Sequence, residues 1–156
     1  FIGNGAKEIT RAVSFRTETG PQTVEIPDPV FRSYLLENFD KNDDGVLTIP
    51  EALTITEIDV CTDSIYSLRG IEKMSRLVRL TACGSEGYRG KLFEIDLSGN
   101  PLLEFFNLND NFIASLDLSG LPNLQDILFR HESACVHRLF AQYAVRVHLY
   151  EQHSTA

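Results

Sequence analysis

The sequence predicts an α/β solenoid, in which short parallel strands stack side by side and turns connect one coil to the next. One observation is a repeated segment: Ile95-Asp96-Leu97-Ser98-Gly99 returns as Leu116-Asp117-Leu118-Ser119-Gly120, a step of 21 residues. A second is that apolar residues spaced L-x-x-L-x-L follow each copy and recur with the same step, from Leu103 to Leu124. A period in the twenties with this spacing is typical of a leucine-rich-repeat stack.

The same spacing predicts about four repeat strands. Its copies begin at Ile55, Leu77, Leu103 and Leu124, with steps of 22, 26 and 21 residues. The first, fourth and sixth residues of each copy should point into the core, because successive side chains of a strand alternate between its faces. The long middle step has five extra residues, and a glycine-rich stretch at 84–90 predicts an insertion on one face of the stack.

Leucine-rich repeats also place an asparagine just after the strand, where its side chain bonds the backbone of the turn. Asn111 stands at that position in one coil. The equivalent positions of the other coils are predicted to hold Asp63, Ser85 and Glu132.

Both ends of such a stack need covering, because an exposed sheet edge invites aggregation. Before the repeats, residues 30–39 predict a helix whose apolar face consists of Val30, Phe31, Tyr34, Leu35 and Phe39. After the repeats, Ser133 is a candidate helix cap, and the helix would bury Val136, Leu139, Phe140 and Tyr143. Alternation at 145–149 then predicts a strand that pairs with the last repeat.

We therefore expect one compact domain in four parts. These are an N-terminal extension or tether at 1–26, a helical cap at 27–54, the leucine-rich repeats at 55–132 and a helix-plus-strand cap at 133–156. Short strands predicted within 1–26 fit either a hairpin or a tether to an upstream segment.

Residues 40–51 match the calcium-loop pattern D-x-[DN]-x-[DN]-G-x5-E at every defined position. Calcium prefers oxygen ligands, and this spacing wraps them around one ion, with the sixth-position glycine, Gly45, permitting the sharp turn. The pattern predicts a Ca²⁺ site in which Asp40, Asn42 and Asp44 supply side-chain oxygens. Val46 would supply its backbone carbonyl, Thr48 a ligand through a water, and Glu51 both carboxylate oxygens. The alternative is an Asp/Asn-rich turn that binds no ion.

The sequence favours a structural role for this ion over a sensing one. A sensor needs paired loops and an exit helix that swings open. Here only Ala52-Leu53-Thr54 separate the loop from the first repeat strand, and no second loop follows. We expect the ion to fix the helical cap against the solenoid.

Strand positions that alternate with the core residues should form the concave face of the stack. Aromatic and Arg side chains are common interface anchors, so partner binding is predicted at Arg79, Phe105, Asn107, Asn109, Leu128 and Arg130. The alternatives are ordinary surface scatter, or cover from the inserted loop or the C-terminal segment. Cys61 and Cys83 lie one period apart, which places them within reach of a disulfide or leaves two adjacent free thiols.

Composition and motifs argue against several classes of function. The net charge of −8 disfavours nucleic-acid binding, which depends on Lys and Arg. No apolar run approaches the 18 or more residues of a membrane span. Motifs for nucleophilic, phosphate-binding or zinc-protease chemistry are not found, and the four histidines fit no zinc spacing, so we expect no catalysis.

Parts of the chain resemble known families. Residues 65–77 resemble the convex side of internalin-like repeats, and residues 92–121 resemble the Leu-Asp-Leu-Ser-Gly-Asn-Pro variety common in secreted bacterial leucine-rich-repeat proteins. Residues 40–51 are similar to the half loops of dockerins, although dockerins carry two in tandem. Together these resemblances cover about residues 26–129.

The resemblance implies a non-catalytic, extracytoplasmic bacterial module, either secreted, periplasmic or on the cell surface. It would recognise a protein or a glycan through the concave strands and the 84–91 loop. The alternatives are a dockerin-like targeting or structural module of a surface assembly, and an accessory domain of a secreted enzyme.

Overall fold

The computed structural model describes residues 20, 22–85, 88–128 and 146–148, the last segment as backbone only. These residues contain a five-stranded parallel sheet in which the strands lie in chain order. The strands are β1 (Glu57–Cys61), β2 (Arg79–Cys83), β3 (Phe105–Asn107), β4 (Asp126–Leu128) and β5 (Arg146–His148). The four predicted repeat strands are confirmed, each beginning two residues after the apolar residue that marks its repeat.

The core of the stack is built from in-register apolar rungs. Ile58, Leu80, Phe106 and Ile127 pair across the first four strands, and no more than 1% of any of these residues is exposed. Burying a side chain of this size contributes about 1.5–3 kcal/mol. Because each rung is buried only by its neighbours, the stability belongs to the stack and not to a single coil.

A buried asparagine joins two coils on the convex side. Asn100 is fully buried, and its Nδ2 donates to the carbonyls of Ile71 (2.9 Å) and Met74 (3.0 Å) in the preceding coil. These carbonyls flank a short 3-10 turn, Ile71–Lys73. The same two carbonyls also accept backbone bonds from the Met74 and Leu77 amides, both at 2.9 Å, so Asn100 adds a second hydrogen bond to each and links its own coil to this turn.

A second asparagine, Asn111, performs the predicted role beside the strands. Its Nδ2 donates to the Ala82 carbonyl at 2.8 Å, and its Oδ1 accepts from Thr62 Oγ1 at 2.8 Å and from the Leu92 amide at 3.3 Å. Its side chain therefore links three coils. The buried side-chain amide of Asn111 thus serves as a hydrogen-bond partner in place of backbone groups, which the turns cannot supply.

Where the inserted loop rejoins the stack, the chain passes close to Asn111. The chain rejoins the stack at Gly90, which precedes the buried Leu92 as Asn111 precedes the buried Ile113. Gly90 approaches the Thr62 and Asn111 side chains so closely that a Cβ does not fit. Ser85 lies beside Asp63, the predicted equivalent residue one period earlier, and donates from its amide to Asp63 Oδ1 at 2.9 Å; unlike the buried Asn111, Ser85 is exposed.

Helix α1 (Pro29–Phe39) lies before the repeats, where the sequence predicts a helix. It buries Phe31 and Leu35 against the core, and Tyr34 and Phe39 are half-buried. Val30 departs from the predicted face, because 44% of it is exposed in the first turn of the helix. The Tyr34 hydroxyl accepts a hydrogen bond from the Asp59 amide at 3.1 Å, which satisfies a donor on the first strand.

Residues 22–26 pair with the end of the predicted calcium loop. Thr23 and Thr48 form an antiparallel bridge, the Val24 amide donates to Leu47 at 2.8 Å, and the Ile49 amide donates to Gln22 at 2.7 Å. Val24 and Ile26 are buried in the common core. Helix α2 (Ile49–Ala52) follows this bridge and is a single turn.

Asp28 connects the helical cap to the first coil. Its Oδ1 accepts from the Val30 and Phe31 amides, both at 3.0 Å, and so caps α1. Its Oδ2 accepts from the Tyr66 amide at 2.8 Å and the Ser67 amide at 3.3 Å. Asp28 is 6% exposed, so one buried carboxylate satisfies four backbone donors from two structural units.

At the other end of the sheet, β5 pairs in parallel with β4, Ile127 facing Val147. This strand lies where the alternation at 145–149 predicts one. The helix predicted after Ser133 lies outside the described residues, and so does Glu132, which was predicted to occupy the position equivalent to Asn111.

We predict that Asp28→Ala lowers the free energy of unfolding by about 2–3 kcal/mol, because it removes a helix cap and leaves the Tyr66 and Ser67 amides without their acceptor. Urea denaturation followed by circular dichroism measures this loss. Asp28→Ser is the matched variant, since serine can still cap α1 but is too short to reach the first coil. An equal stability for Asp28→Ser and wild type would show that the link to the first coil contributes nothing.

Candidate functional site

The predicted calcium loop, residues 40–51, connects α1 to α2. Two residues in left-handed conformations turn its backbone: Gly45 has a φ of 78° and Asp43 a φ of 55°. Glycine adopts such a φ without steric cost, and Asp is one of the few other residues that tolerate it. The sharp turn predicted at Gly45 is therefore present.

The side chains at the start of the loop bond mainly within it. Asp40 Oδ2 accepts from the Gly45 amide at 2.8 Å, whereas Asp40 Oδ1 is buried and has no hydrogen-bond partner among the described atoms. Asn42 Nδ2 donates to Asp44 Oδ2 at 2.8 Å, and Asp44 Oδ1 accepts from the Val46 amide at 2.9 Å. The loop backbone is thus pre-folded by the side chains that the pattern assigns to calcium.

Glu51 ties the end of the loop to its beginning. Its Oε1 accepts from the Lys41 amide at 3.0 Å, and its Oε2 accepts from the Thr48 amide at 2.9 Å and hydroxyl at 2.7 Å. The Glu51 amide donates back to Thr48 Oγ1 at 3.4 Å, completing a capping box at the start of α2. The Thr48 hydroxyl and amide hold the pKa of Glu51 below its ordinary value.

The loop fits calcium in donor chemistry and in backbone turn. Its donors are carboxylate, amide and carbonyl oxygens, which calcium prefers, and the buried Asp40 Oδ1 is an oxygen that lacks a partner. No three His, Cys, Asp or Glu side chains in the described part of the chain converge closely enough to hold a metal. Both carboxylate oxygens of Glu51 already accept hydrogen bonds from Lys41 and Thr48, so coordination by Glu51 would compete with these bonds.

The concave face displays in-register rows of outward residues. In the first row, Glu57, Arg79, Phe105 and Asp126 pair across β1 to β4. Arg79 Nε lies 3.7 Å from a Glu57 carboxylate oxygen, and the Arg79 guanidinium carbon lies 4.7 Å from the centre of the Phe105 ring. Two predicted partner-binding residues, Arg79 and Phe105, therefore form one stacked unit.

The second row contains Asp59, Thr81, Asn107 and Leu128. Asn107 and Leu128 are half-buried and lie side by side, as predicted. Asn109 follows β3 and is half-buried in a turn, where its amide donates to Asn107 Oδ1 at 3.0 Å. Arg130, the sixth residue predicted on this face, lies outside the described residues.

Cys61 and Cys83 face each other in register at the ends of β1 and β2, and both are free thiols in this structure. Cys61 is exposed and Cys83 is half-buried. Burial raises the pKa of Cys83, and the nearby Asp59 carboxylate adds to this effect. A raised thiol pKa reduces the thiolate fraction and hence the reactivity of Cys83 at neutral pH.

The structure also groups residues that the sequence analysis did not connect. The rings of Phe93 and Phe112, from successive coils, stack with centroids 5.4 Å apart, and Lys91 Nζ lies 5.4 Å from the centre of the Tyr66 ring. Phe93 and Phe112 occupy different positions of their repeats, so no step in the sequence relates them. Only the stacking of the coils brings them together.

Within the described residues, none of the helices has the length and apolar character that crossing a membrane requires.

One similarity to a solved structure supports the fold. No protein-family profile matches the chain, and no curated protein matches it in sequence. Among solved structures, it is similar to the functional domain of InlJ from Listeria monocytogenes, which includes a cysteine ladder, with a TM-score of 0.58 and 23% identity over 74% of this chain and 26% of that one. An internalin, InlF, from the same organism gives a TM-score of 0.46 and 20% identity over 72% of this chain and 39% of that one.

This chain spans only about a quarter of the InlJ chain that it matches. The similarity therefore concerns architecture. Together with the parallel in-register strands, it establishes an internalin-like leucine-rich-repeat fold.

We predict that Glu51 contributes a pH-dependent part of the stability of the folded chain. Because its pKa is lowered in the folded state, the contribution is present above its ordinary pKa of 4.5 and is lost as the pH falls through the lower, folded-state value. Thermal melting in EDTA at several pH values measures it, and Glu51→Gln should flatten the acid side of the profile. Glu37→Gln, on the exposed side of α1, is the control; a profile unchanged by Glu51→Gln would contradict the assignment.

Proposed function

We propose that this protein is a non-catalytic recognition module that binds another protein through the concave face of its repeats. The observation that carries the proposal is the Arg79–Phe105 unit, held in the first row by strand pairing and by Glu57. Interface anchors are enriched in aromatic and Arg side chains, and anchors fixed before binding lose less conformational freedom when the partner docks. Asn107 and Leu128 extend this surface along the second row.

The charge of the concave face favours a basic partner surface. The outward positions of β1 to β4 include three acids, Glu57, Asp59 and Asp126, and one base, Arg79. A surface with this balance attracts positive charge and disfavours acidic partners. The exposed Glu57–Arg79 pair itself adds little stability, because solvent screens it, so both side chains are available to exchange partners on binding.

Calcium is the second part of the proposal. Asp40, Asn42, Asp44 and Glu51 would hold the ion through side-chain oxygens, with the Val46 carbonyl and a water on Thr48. When bound, the ion supplies a fixed positive charge that draws these oxygens together. Because the loop is bonded to residues 22–24 and lies between α1 and α2, fixing it would stiffen the cap against the first coil.

We propose an extracytoplasmic location for the protein, where calcium sites of modest affinity are occupied.

The calcium proposal is tested by isothermal titration and by thermal melting with calcium or EDTA. Calcium at about 100 times its dissociation constant should stabilise the wild type by about 2.7 kcal/mol. Asp40→Ala should abolish both the heat and the calcium-dependent shift. Asp43→Asn is the matched control, because it also removes one loop carboxylate but at a position that the pattern does not assign to the ion.

The calcium proposal fails if wild type gives no heat and no shift in melting temperature with EDTA. It also fails if Asp40→Ala and Asp43→Asn weaken binding equally, since general loop charge would then explain the effect.

The recognition proposal is tested on an array of extracellular proteins and glycans. We expect protein ligands with basic surfaces, and we expect Phe105→Ala and Arg79→Ala each to weaken binding about tenfold or more. Leu102→Ala is the control, because Leu102 is 44% exposed and lies outside the concave strands. Binding that Phe105→Ala leaves unchanged, or binding to glycans alone, would contradict the proposal.

A further inference from the structure

Cys61 and Cys83 form a pair of thiols on the concave face, which we call the thiol pair. They are Cα partners at the ends of β1 and β2, and they continue the outward alternation of both strands, since Val60 and Ala82 beside them are buried. Both are free thiols; Cys61 is exposed and Cys83 is half-buried. Two neighbouring coils therefore present sulfur atoms on the same accessible face.

One buried side chain holds the two strands together at the thiol pair. Asn111 Oδ1 accepts from the hydroxyl of Thr62, the residue after Cys61, at 2.8 Å. Its Nδ2 donates to the carbonyl of Ala82, the residue before Cys83, also at 2.8 Å. The Thr62 amide donates to the Cys83 carbonyl at 2.9 Å. Because Thr62 and Asn111 are both buried, these bonds are shielded from water and fix the backbone of the thiol pair at the spacing of paired strands.

This spacing suits an ion between the sulfurs better than a bond between them. Neighbouring strands lie about 4.7–4.9 Å apart, and in-register side chains leave them in the same direction, so the two Cβ atoms have about the same separation. A disulfide brings its Cβ atoms to about 3.5–4.5 Å, which would pull the hydrogen-bonded strands together. Two metal–sulfur bonds of about 2.3 Å on opposite sides of one ion span about 4.6 Å, which matches the strand spacing.

The ligand set selects a soft ion that needs few donors. Among the residues that the structure describes, no third His, Cys, Asp or Glu completes a metal-binding cluster with the two thiols. Zinc and calcium each require a larger ligand set. Cuprous ion prefers thiolates and is satisfied by two of them in a line. The thiol pair therefore fits Cu⁺, and Ag⁺, which shares this preference, is a redox-inert probe for the same site.

Nearby carboxylates shape the electrostatics of the thiol pair. Asp59 is the outward residue before Cys61 on β1, and hydrogen bonding from Ser85, with a smaller contribution from the Cys61 thiol, holds the pKa of Asp63 below its ordinary value. Acids in these positions attract cations to the surface. Burial, with a further contribution from Asp59, raises the pKa of Cys83, which disfavours the thiolate that disulfide exchange requires.

A soft metal ion does not need a thiolate in advance, because a coordinating thiol loses its proton as the metal–sulfur bond forms. Binding of one Cu⁺ forms two copper–sulfur bonds, releases the two thiol protons to solvent and leaves the oxidation state of copper and sulfur unchanged.

We propose that Cys61 and Cys83 form a copper(I) site in which one ion bridges the sulfurs of neighbouring coils. When bound, the ion cross-links the first two coils at the end of the concave face. This inference does not rest on the recognition or the calcium proposal, because it uses neither the Arg79–Phe105 unit nor residues 40–51. Each of the three can fail without the others.

The test titrates the reduced whole chain with Cu⁺ under argon, in competition with the cuprous chelator bicinchoninate, and separately with Ag⁺. The parent protein carries Cys135→Ser, because Cys135 is the third cysteine of the chain. We expect one ion per chain, an ultraviolet charge-transfer band from thiolate to copper, and protection of both remaining thiols from alkylation by N-ethylmaleimide. Wild type should bind with the affinity of this parent.

In the same parent, Cys61→Ser and Cys83→Ser should each weaken binding about a hundredfold or more, since a single thiol lacks the high effective concentration of the second one. Cu⁺ should raise the melting temperature of the parent and not that of either variant. Melting temperatures without metal that match the parent should show that both variants remain folded.

Four results would overturn the proposal. One is the absence of Cu⁺ and Ag⁺ binding, and another is binding that either serine variant retains in full. A third is Zn²⁺ binding as tight as that of Cu⁺, which would require further ligands. The last is a disulfide between Cys61 and Cys83, formed as glutathione disulfide takes up two electrons and two protons to give two glutathiones, that melts at a higher temperature than the reduced chain.

That last result would show that the strands accept a direct bond without strain, and the thiol pair would then be a structural disulfide site.

Discussion

Each coil of this protein can bury its apolar side chains only against the next coil, so the structure depends on keeping neighbouring coils in register. The rung of Ile58, Leu80, Phe106 and Ile127 holds that register across four strands. A slip of one residue would turn these side chains outward and expose the core. The same register decides the surface chemistry, because it places Arg79 between Glu57 and Phe105 on the concave face.

The register is interrupted wherever the backbone leaves the repeat, and buried polar side chains repair the interruptions. Asp28 satisfies donors from both the cap and the first coil, Asn100 pairs the carbonyls around a convex turn, and Asn111 bonds the coils around the inserted loop. Each of these groups is at least nine-tenths buried. Side chains used in this way are costly to bury but still costlier to remove, because they satisfy backbone groups that no water reaches.

The result is a small scaffold with one well-defined outward surface. The concave strands present acids around one Arg–Phe unit. The cap is not a separate lobe, since residues 22–26, the calcium loop and Asp28 tie it to the core. A calcium ion in the loop would therefore act on the stability of the end of the stack and only indirectly on the concave face.

The sequence by itself determined the coil period, the four repeat strands, the first helix and the turn at Gly45, because each depends on local spacing or on one residue's backbone preference. It also identified Arg79, Phe105, Asn107 and Leu128 as concave residues, since alternation within a strand fixes the face. Tertiary structure decided what repeats cannot encode: that Gly90 lies beside Asn111, that Glu51 bonds Lys41 and Thr48, and that Phe93 stacks on Phe112. The contacts of Gly90 and Phe93 join different coils at unequal steps, so they exist only once the coils have stacked. The bonds of Glu51 exist only once residues 40–51 have closed into a loop.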